Sequence, residues 1–503
     1  MQAEQAYADL IKRWQEAALL QSCAAVLEWE QQTYLPVEGA EHRSEQLALL
    51  AGLHHQRITD PRIGDSLQAV EESGIAKDPL SIEAVNVREI RKSYDKSTKL
   101  PQSLVEEMAK TFSFAQQEWA AARREKNFAR FRPWLAKAMD LTRQKARAIN
   151  PTGNLYDTLM DDYEPGAKGD DIAKVFEKLR EALIPFVAAI QESKQQPVEG
   201  ILERNYPVDK QQFFGEMVAS EIGFDFSRGR LDTTTHPFCT TLGPHDCRIL
   251  TRYNRNFFNE SFFGILHEAG HGLYEQGLLP EHYGTPMGEA VSLGIHESQS
   301  RLWENSVGRS RAFWRHYYPK ARGIFRDALG SLPMDDFYFA VNKVAPSFIR
   351  VEADEVTYNL HILIRFELER ALIAEDLSVD ALPAAWNDKY QKYLGILPPD
   401  DALGCLQDVH WSAGLIGYFP TYTLGNIYGA QFFNQANKDL GGLDARIAAG
   451  EFSGLLGWLR EKIHRHGKRY QPVDLVREVV GADPSPEPLV RQLHAKFDEL
   501  YGL

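Results

Sequence analysis

The sequence predicts a mainly α-helical fold, built as one large helical body with a small piece of β-structure. Apolar residues recur at helical spacing through most of the chain, as Leu10, Trp14 and Ala18 do near its start. Residues 231–253 differ, because they are rich in threonine and β-branched side chains. We find no internal repeat and no long linker, so helices and strands are expected to share one body.

The predicted helices follow one another between breaks of proline, glycine and asparagine. Pro133 is placed to open one of them, because the first helical position tolerates a missing N–H group. The segments are residues 3–31, 40–53, 102–125, 134–149 and 170–193, and helical pattern dominates again from Asn259 to the C-terminus.

The strand-like segment begins at Leu231 and reads LDTTTHPFCTTLGPHDCRILTRY. Its β-branched runs lie on either side of Gly243-Pro244, a turn signal. We therefore predict two short strands joined as a hairpin, with His236 on the first strand.

The charge balance excludes several classes of partner. The chain has 503 residues, with 70 acidic and 56 basic side chains and a formal net charge of −14. Such a chain is not expected to bind nucleic acid or an anionic membrane as its main partner.

No segment approaches the roughly 18–20 apolar residues of a membrane span, and the N-terminus does not look like a secretory signal.

The cysteines indicate a reducing compartment. There are four of them, and none forms a CxxC pair. We interpret Cys239, Cys247 and Cys405 as small buried side chains, and we expect a cytoplasmic protein.

The strongest motif is His267-Glu268-Ala-Gly-His271. Two histidines four residues apart lie on one face of a helix and can bind one Zn²⁺, while Glu268 lies beside them as a general base. Gly270 and Gly272 weaken a helix, which makes sense where another element must approach the backbone closely. The alternative is a helix with two hydrogen-bonded structural histidines.

A third ligand must come from elsewhere, because no further histidine follows at a suitable spacing. Residues 288–304 are predicted to form a second helix that carries three candidate acids, Glu289, Glu297 and Glu304. Spacing does not choose among them, and Glu297 could equally form an ion pair with Arg301.

These motifs, taken together, resemble the carboxypeptidase Taq family of zinc metallocarboxypeptidases. The resemblance covers essentially the whole chain. It rests on Tyr34-Leu-Pro, Arg43-Ser-Glu-Gln, His236-Pro-Phe, Asp246-Cys-Arg248, the His267–His271 motif, His296-Glu297-Ser-Gln, Ile349-Arg350-Val-Glu-Ala-Asp354, Gly404-Cys-Leu-Gln-Asp408-Val-His410-Trp and Tyr418-Phe-Pro-Thr-Tyr422.

The resemblance implies a ligand set and an architecture. Glu297 becomes the third ligand of one zinc ion per chain, for which Co²⁺ or another divalent ion could substitute. The implied fold is neurolysin-like, with a deep central groove, a small sheet near the metal, and N-terminal helices of about residues 1–100 covering the groove. The implied assembly is a homodimer, and the implied substrates are peptides with a free C-terminal carboxylate.

The expected chemistry is hydrolysis of the last peptide bond, releasing single amino acids with broad specificity. Glu268 would accept a proton from the attacking water and pass it to the leaving amine. By analogy with related helical peptidases, Tyr422 and His410 would stabilise the oxyanion, with Tyr418 as second choice. A structural role is the alternative for each of these.

An arginine is expected to hold the substrate carboxylate, because its fork matches carboxylate geometry. Arg350 and Arg248 are the candidates. Each could instead form a structural ion pair, Arg248 with Asp246 and Arg350 with Asp354.

His236 could hydrogen-bond the substrate backbone, and Asp246 is a further candidate at the substrate site. One position departs from the family pattern Asp-x-Arg-x-Thr: Leu250 stands where the family has threonine. Thr251 follows one place later, on the opposite face of a strand, so it is not expected to replace it.

Two other functions compete with a carboxypeptidase. A zinc endopeptidase or dipeptidyl carboxypeptidase would have the same metal site, and a non-catalytic helical scaffold would have no need for Glu268.

The motifs from His236 to Tyr422 are expected to build one site, which predicts a single domain over residues 1–503.

Overall fold

The computed structural model describes residues 3–503, and this part of the chain confirms the mainly α-helical class. Helices account for nearly all of its regular structure. They are α1 (Ala3–Gln31), α2 (Ala40–Ile58), α3 (Pro61–Glu71), α4 (Ile82–Lys99), α5 (Gln102–Glu125), α6 (Phe128–Ile149), α7 (Leu155–Met160), α8 (Gly169–Glu192), α9 (Val208–Ile222), α10 (Phe258–Glu275), α11 (Leu293–Arg301), α12 (Arg311–Ile324), α13 (Arg326–Leu329), α14 (Met334–Val341), α15 (Thr357–Ile373), α16 (Leu382–Leu394), α17 (Pro420–Asp439), α18 (Asp444–Ala449), α19 (Ser453–Lys462), α20 (Pro472–Val480) and α21 (Glu487–Tyr501).

Two helix predictions were wrong at their boundaries. Pro133 lies inside α6 rather than at its start, because Phe128 and Phe131 already bury an apolar face before it. The helix predicted over 288–304 begins only at Leu293, where the side chain of Ser292 accepts a hydrogen bond from the backbone N–H of Ile295. It then continues as a π-helix, Leu302–Gly308.

The β-structure has one strand more than predicted. Strands β2 (Cys239–Gly243) and β3 (Asp246–Thr251) form the expected antiparallel hairpin. Strand β1 (Gly229–Thr233) pairs in parallel with β3, so the order in the described sheet is β1-β3-β2. His236 therefore lies in the β1–β2 loop and not on a strand, since Pro237 lacks the N–H that a ladder needs.

Within residues 3–503 the core has one large and two smaller parts. The main cluster of buried apolar side chains extends from Ala115 to Tyr501 and surrounds α10, α11, α15 and α17. Helices α1, α3 and α4 share a separate small core. Trp29 at the end of α1 packs on Leu242 and Leu250 of the sheet, which fastens the N-terminal layer to the main body.

None of the helices in residues 3–503 is long and apolar enough to cross a membrane.

Candidate active site

Helix α10 carries the paired histidines and is almost entirely buried. Helix α11 approaches it at Gly270, where a Cβ atom would lie only 2.6 Å from the Cα of Ser300. Helix α17 approaches α11 from another side, because a Cβ on Gly425 would lie 2.5 Å from Cγ of Glu297. Glycines on two helices thus let Glu297 reach the histidines.

Glu297, His267 and His271 bring their donor atoms to one point. One ligand atom from each lies within 4.8 Å of the others. Oε2 of Glu297 is 3.5 Å from Nε2 of His267 and 3.4 Å from Nε2 of His271. Of the other candidate acids, Glu289 pairs with Lys468 at the surface. Glu304 lies on the other side of the His267 ring, next to Nδ1.

Arg301 links the acids around His267. Oε2 of Glu304 is 2.9 Å from Nδ1 of His267, and Arg301 donates to both Glu304 and Glu297. Burial raises the pKa of Glu297, but Arg301 and the two histidines hold it well below its ordinary value. The ion pair with Arg301 predicted as an alternative role for Glu297 therefore coexists with the convergence on the histidines.

Glu268 is buried beside the histidines, with 6% of its surface exposed. Burial raises its pKa to about 7, and the charge of His267 opposes this only in part. A carboxyl with a pKa near 7 can both accept and return a proton at neutral pH.

The partner expected for Arg350 was wrong: its guanidinium binds Asp408, not Asp354. Nε and an Nη of Arg350 donate to Asp408 at 3.0 and 2.9 Å, and Arg365 donates to the other oxygen at 2.6 Å. Asp354 instead accepts backbone N–H groups at the start of α15. The prediction failed because it took an acid close to Arg350 in sequence, whereas the actual partner is 58 residues away.

His410, Tyr418 and Tyr422 lie together next to Arg350. Nε2 of His410 is 3.3 Å from the hydroxyl of Tyr422, and the rings of Tyr418 and Tyr422 are 5.4 Å apart. The guanidinium of Arg350 lies 5.0 Å from the centre of the Tyr422 ring. Burial lowers the pKa of His410 to about 4, so its imidazole is neutral at pH 7.

Tyr358 joins this cluster to the histidines. It accepts a hydrogen bond from Arg350 at 3.1 Å, and Arg301 stacks 4.4 Å from its ring centre. Glu297 and Arg350, predicted from separate motifs, therefore belong to one connected site.

The sheet residues form a separate group. Arg248 donates two hydrogen bonds of 2.9 Å to Asp246, as its alternative role predicted, and stacks 4.0 Å from the ring centre of Trp29. Thr251 is buried, with its hydroxyl 3.4 Å from the carbonyl oxygen of Ser261. His236 is exposed in its loop.

The sequence did not indicate a role for some residues that contact the proposed site. Asp408 and His296 occur in the motifs quoted above, but nothing local indicated what they contact. The spacing Gly425-x-x-x-Gly429 could have indicated close helix packing, because a Cβ on Gly429 would also lie 2.9 Å from the carbonyl oxygen of Ser298.

Gly425→Ala is expected to weaken metal binding, because the new methyl group overlaps Cβ and Cγ of Glu297 and must push α11 away. Overpacking of this kind costs about 1–3 kcal/mol of stability. Gly457→Ala on α19 is the matched control, since a Cβ there meets nothing within 4 Å. Measurements of metal affinity and melting temperature check this prediction, and a Gly425→Ala protein with unchanged metal affinity would contradict it.

The helical body brings four side chains to one place: two histidines four residues apart, a carboxylate from a second helix, and a buried glutamate. This arrangement is the site of a metallopeptidase. Comparison with known proteins narrows this class. A family model described as carboxypeptidase Taq (M32) metallopeptidase matches residues 9–497. The chain belongs to that family, and it is a metallocarboxypeptidase.

Relatives match along the whole chain. Thermostable carboxypeptidase 1 of Thermus thermophilus is 49% identical over 511 residues, covering 100% of both chains. Carboxypeptidase 1 of Bacillus subtilis is 37% identical and covers 99% of each. The crystal structure of an M32 carboxypeptidase from Deinococcus radiodurans superposes with a TM-score of 0.96, at 41% identity over 99% of this chain and 100% of that one.

Proposed function

We propose that this enzyme is a zinc carboxypeptidase that hydrolyses the last peptide bond of peptides with a free C-terminal carboxylate. It releases single amino acids with broad specificity. The convergence of His267, His271 and Glu297 next to the buried Glu268 carries this proposal.

One zinc ion per chain would be held by Nε2 of His267, Nε2 of His271 and Oε2 of Glu297. Oε2 of Glu297 lies 3.5 and 3.4 Å from the two nitrogens, so the three atoms are close enough to bind one ion. When bound, zinc supplies Lewis acidity, which lowers the pKa of water and polarises a peptide carbonyl. Co²⁺ is expected to substitute, since this donor set accepts several divalent ions.

Glu268 is the general base in this mechanism. Its carboxylate accepts a proton from the attacking water and then donates it to the leaving nitrogen. Burial raises the pKa of Glu268 above the ordinary value of a glutamate, which makes the carboxylate a stronger base.

Tyr422 is proposed to donate its hydroxyl proton in a hydrogen bond to the oxyanion, and neutral His410 orients that hydroxyl. The ring of Tyr418 contacts that of Tyr422 at a tilted angle, so we place Tyr418 beside the substrate as well.

Tyr422→Phe is expected to lower kcat by about 10²–10³-fold with little change in KM, because it removes a donor that acts on developing charge. Tyr428→Phe is the matched control: it also removes a hydroxyl from α17, but that hydroxyl binds Glu164. Steady-state kinetics check this. If Tyr418→Phe reduced kcat and Tyr422→Phe did not, the donor would be Tyr418.

Arg350 is proposed to hold the substrate carboxylate. Arg350, Arg365 and Asp408 together carry a net charge of +1 in a largely buried place, so an anion would balance them. Three of the five N–H groups of Arg350 are used by Asp408 and Tyr358, which leaves two for a ligand. Arg248 and Asp246 already neutralise each other, so we place them and His236 along the substrate backbone.

The test compares a peptide with its C-terminally amidated form. We expect the free acid to be preferred by about 10- to 100-fold in kcat/KM, the worth of one charged hydrogen-bonded contact. Arg350→Met should bring this ratio close to one, while Arg248→Met should leave it intact. Equal cleavage of both peptides by the unmodified enzyme, or internal fragments as products, would favour an endopeptidase instead.

We further propose a single domain over residues 1–503, of which the first two lie outside the described residues. Helices α10, α11, α15 and α17 pack around one main core, and Trp29 of α1 packs on the sheet and so ties the N-terminal helices to that body. The N-terminal helices would cover the substrate groove, with Trp29 lying on Arg248. Exposed Leu19 and Val26 on α1 and Leu49 and Leu53 on α2 offer an apolar surface for a homodimer. Four free thiols support a cytoplasmic location.

A further inference from the structure

The two histidines proposed as ligands have different outer partners. Nδ1 of His267 is 2.9 Å from the carboxylate of Glu304. Nδ1 of His271 is instead 2.5 Å from Nδ1 of His296, whose Nε2 is 2.8 Å from Oε1 of Glu275. The carboxylate that serves His271 is therefore one imidazole further away.

The proton positions along this second path follow from the ligand geometry. A ring nitrogen that binds a metal carries no proton, so a neutral His271 that binds through Nε2 is protonated on Nδ1. That N–H can only donate to Nδ1 of His296, which must then be unprotonated. The proton of His296 accordingly lies on Nε2, where it is donated to Glu275. One carboxylate thereby selects the tautomer of both rings.

The far end of the path is anchored in the sheet. The hydroxyl of Thr241 on β2 donates to the other oxygen of Glu275 at 2.8 Å. Thr241 and Glu275 both line a cavity of about 560 Å³ between α1 and the sheet. Because this end borders open space, truncation of Glu275 does not leave a void inside the packed core.

We propose that His296 and Glu275 are positioning residues for the metal centre, which hold His271 in the tautomer and orientation that bind the metal. Thr241 extends this chain of hydrogen bonds to β2. The inference rests on the proposed function, because it takes His271 as a ligand.

The experiment is a double-mutant cycle read out as metal affinity. Zn²⁺ dissociation constants are measured by competition with a chelator for the full-length enzyme, His296→Phe, Glu275→Ala and the double variant. Each single change is expected to weaken Zn²⁺ binding by about 10- to 100-fold, the usual effect of an outer partner. The double variant should be no weaker than His296→Phe alone, because Glu275 acts through His296.

Two further variants separate positioning from general damage. His296→Gln retains an acceptor and a donor on one side chain, so it should recover part of the affinity that His296→Phe loses. Gln276→Ala is the matched control for Glu275→Ala: it lines the same cavity but bonds to Asp225. It should leave Zn²⁺ affinity unchanged even if it lowers the melting temperature of the metal-free protein.

The outcomes distinguish this inference from the proposed function. If His271→Ala fails to reduce Zn²⁺ affinity, the ligand assignment is wrong. If His271→Ala reduces it while His296→Phe and Glu275→Ala do not, only the positioning role is overturned. Additive losses in the double variant would also overturn it, since they would mean that the two residues act independently.

Discussion

Glu268→Gln is expected to lower kcat by about 10²–10⁴-fold while the protein keeps its metal. This range is what a positioned general base contributes. The amide has nearly the shape of the carboxylate, so the packing around this buried side chain should survive. It can no longer accept the proton of the attacking water. Steady-state kinetics on a free-acid peptide, with metal content measured on the same sample, check both parts.

Glu260→Gln is the matched control for that variant. It makes the same chemical change on the same helix, but Glu260 lies in the first turn and pairs with Arg252. Activity close to that of the unmodified enzyme is expected. If Glu268→Gln retained full activity with metal bound, Glu268 would not be the base. If it lost its metal, the kinetic loss would say nothing about proton transfer, and Glu268→Asp would then be needed to test the base.

The fold class was predictable because it depends on local pattern. Helical spacing of apolar residues indicates α1, α5 and α8 within a few residues of their true bounds. What the pattern missed depends on distant contacts. Strand β1 is a strand because it pairs with β3, and the start of α6 is set by the burial of Phe128 against the core.

The same distinction between local pattern and distant contacts applies to the site. The spacing of His267 and His271 is local, and it predicts two ligands on one helix face. The residues that hold them are not local: Glu275 reaches His271 through His296, and Asp408 lies between arginines from two other segments. The choice among these partners depends on how α10, α11 and α15 are placed, which no short motif determines.

Glu297→Gln and Glu304→Gln form the pair with the clearest expected contrast. Spacing alone could not choose between these acids, since both lie on one stripe of the same predicted helix. In the structure α11 turns Glu297 toward Nε2 of both histidines, while Glu304 reaches only Nδ1 of His267. Nε2 is the nitrogen directed at the proposed metal, and Nδ1 faces away from it.

Glu297→Gln is therefore expected to weaken metal binding by more than about 100-fold and to abolish activity at ordinary metal concentrations. Glu304→Gln should weaken it only about 10- to 100-fold, as an outer partner does, and excess Zn²⁺ should restore its activity. Both changes remove one of the two carboxylates bound by Arg301, so each is the control for the other in charge and burial. Chelator competition and titration of activity with Zn²⁺ measure the difference. If Glu304→Gln weakened metal binding more than Glu297→Gln did, Glu304 would be the ligand. The helix that carries both acids would then have to be rotated relative to α10. The close contact between Gly425 and Glu297 opposes such a rotation.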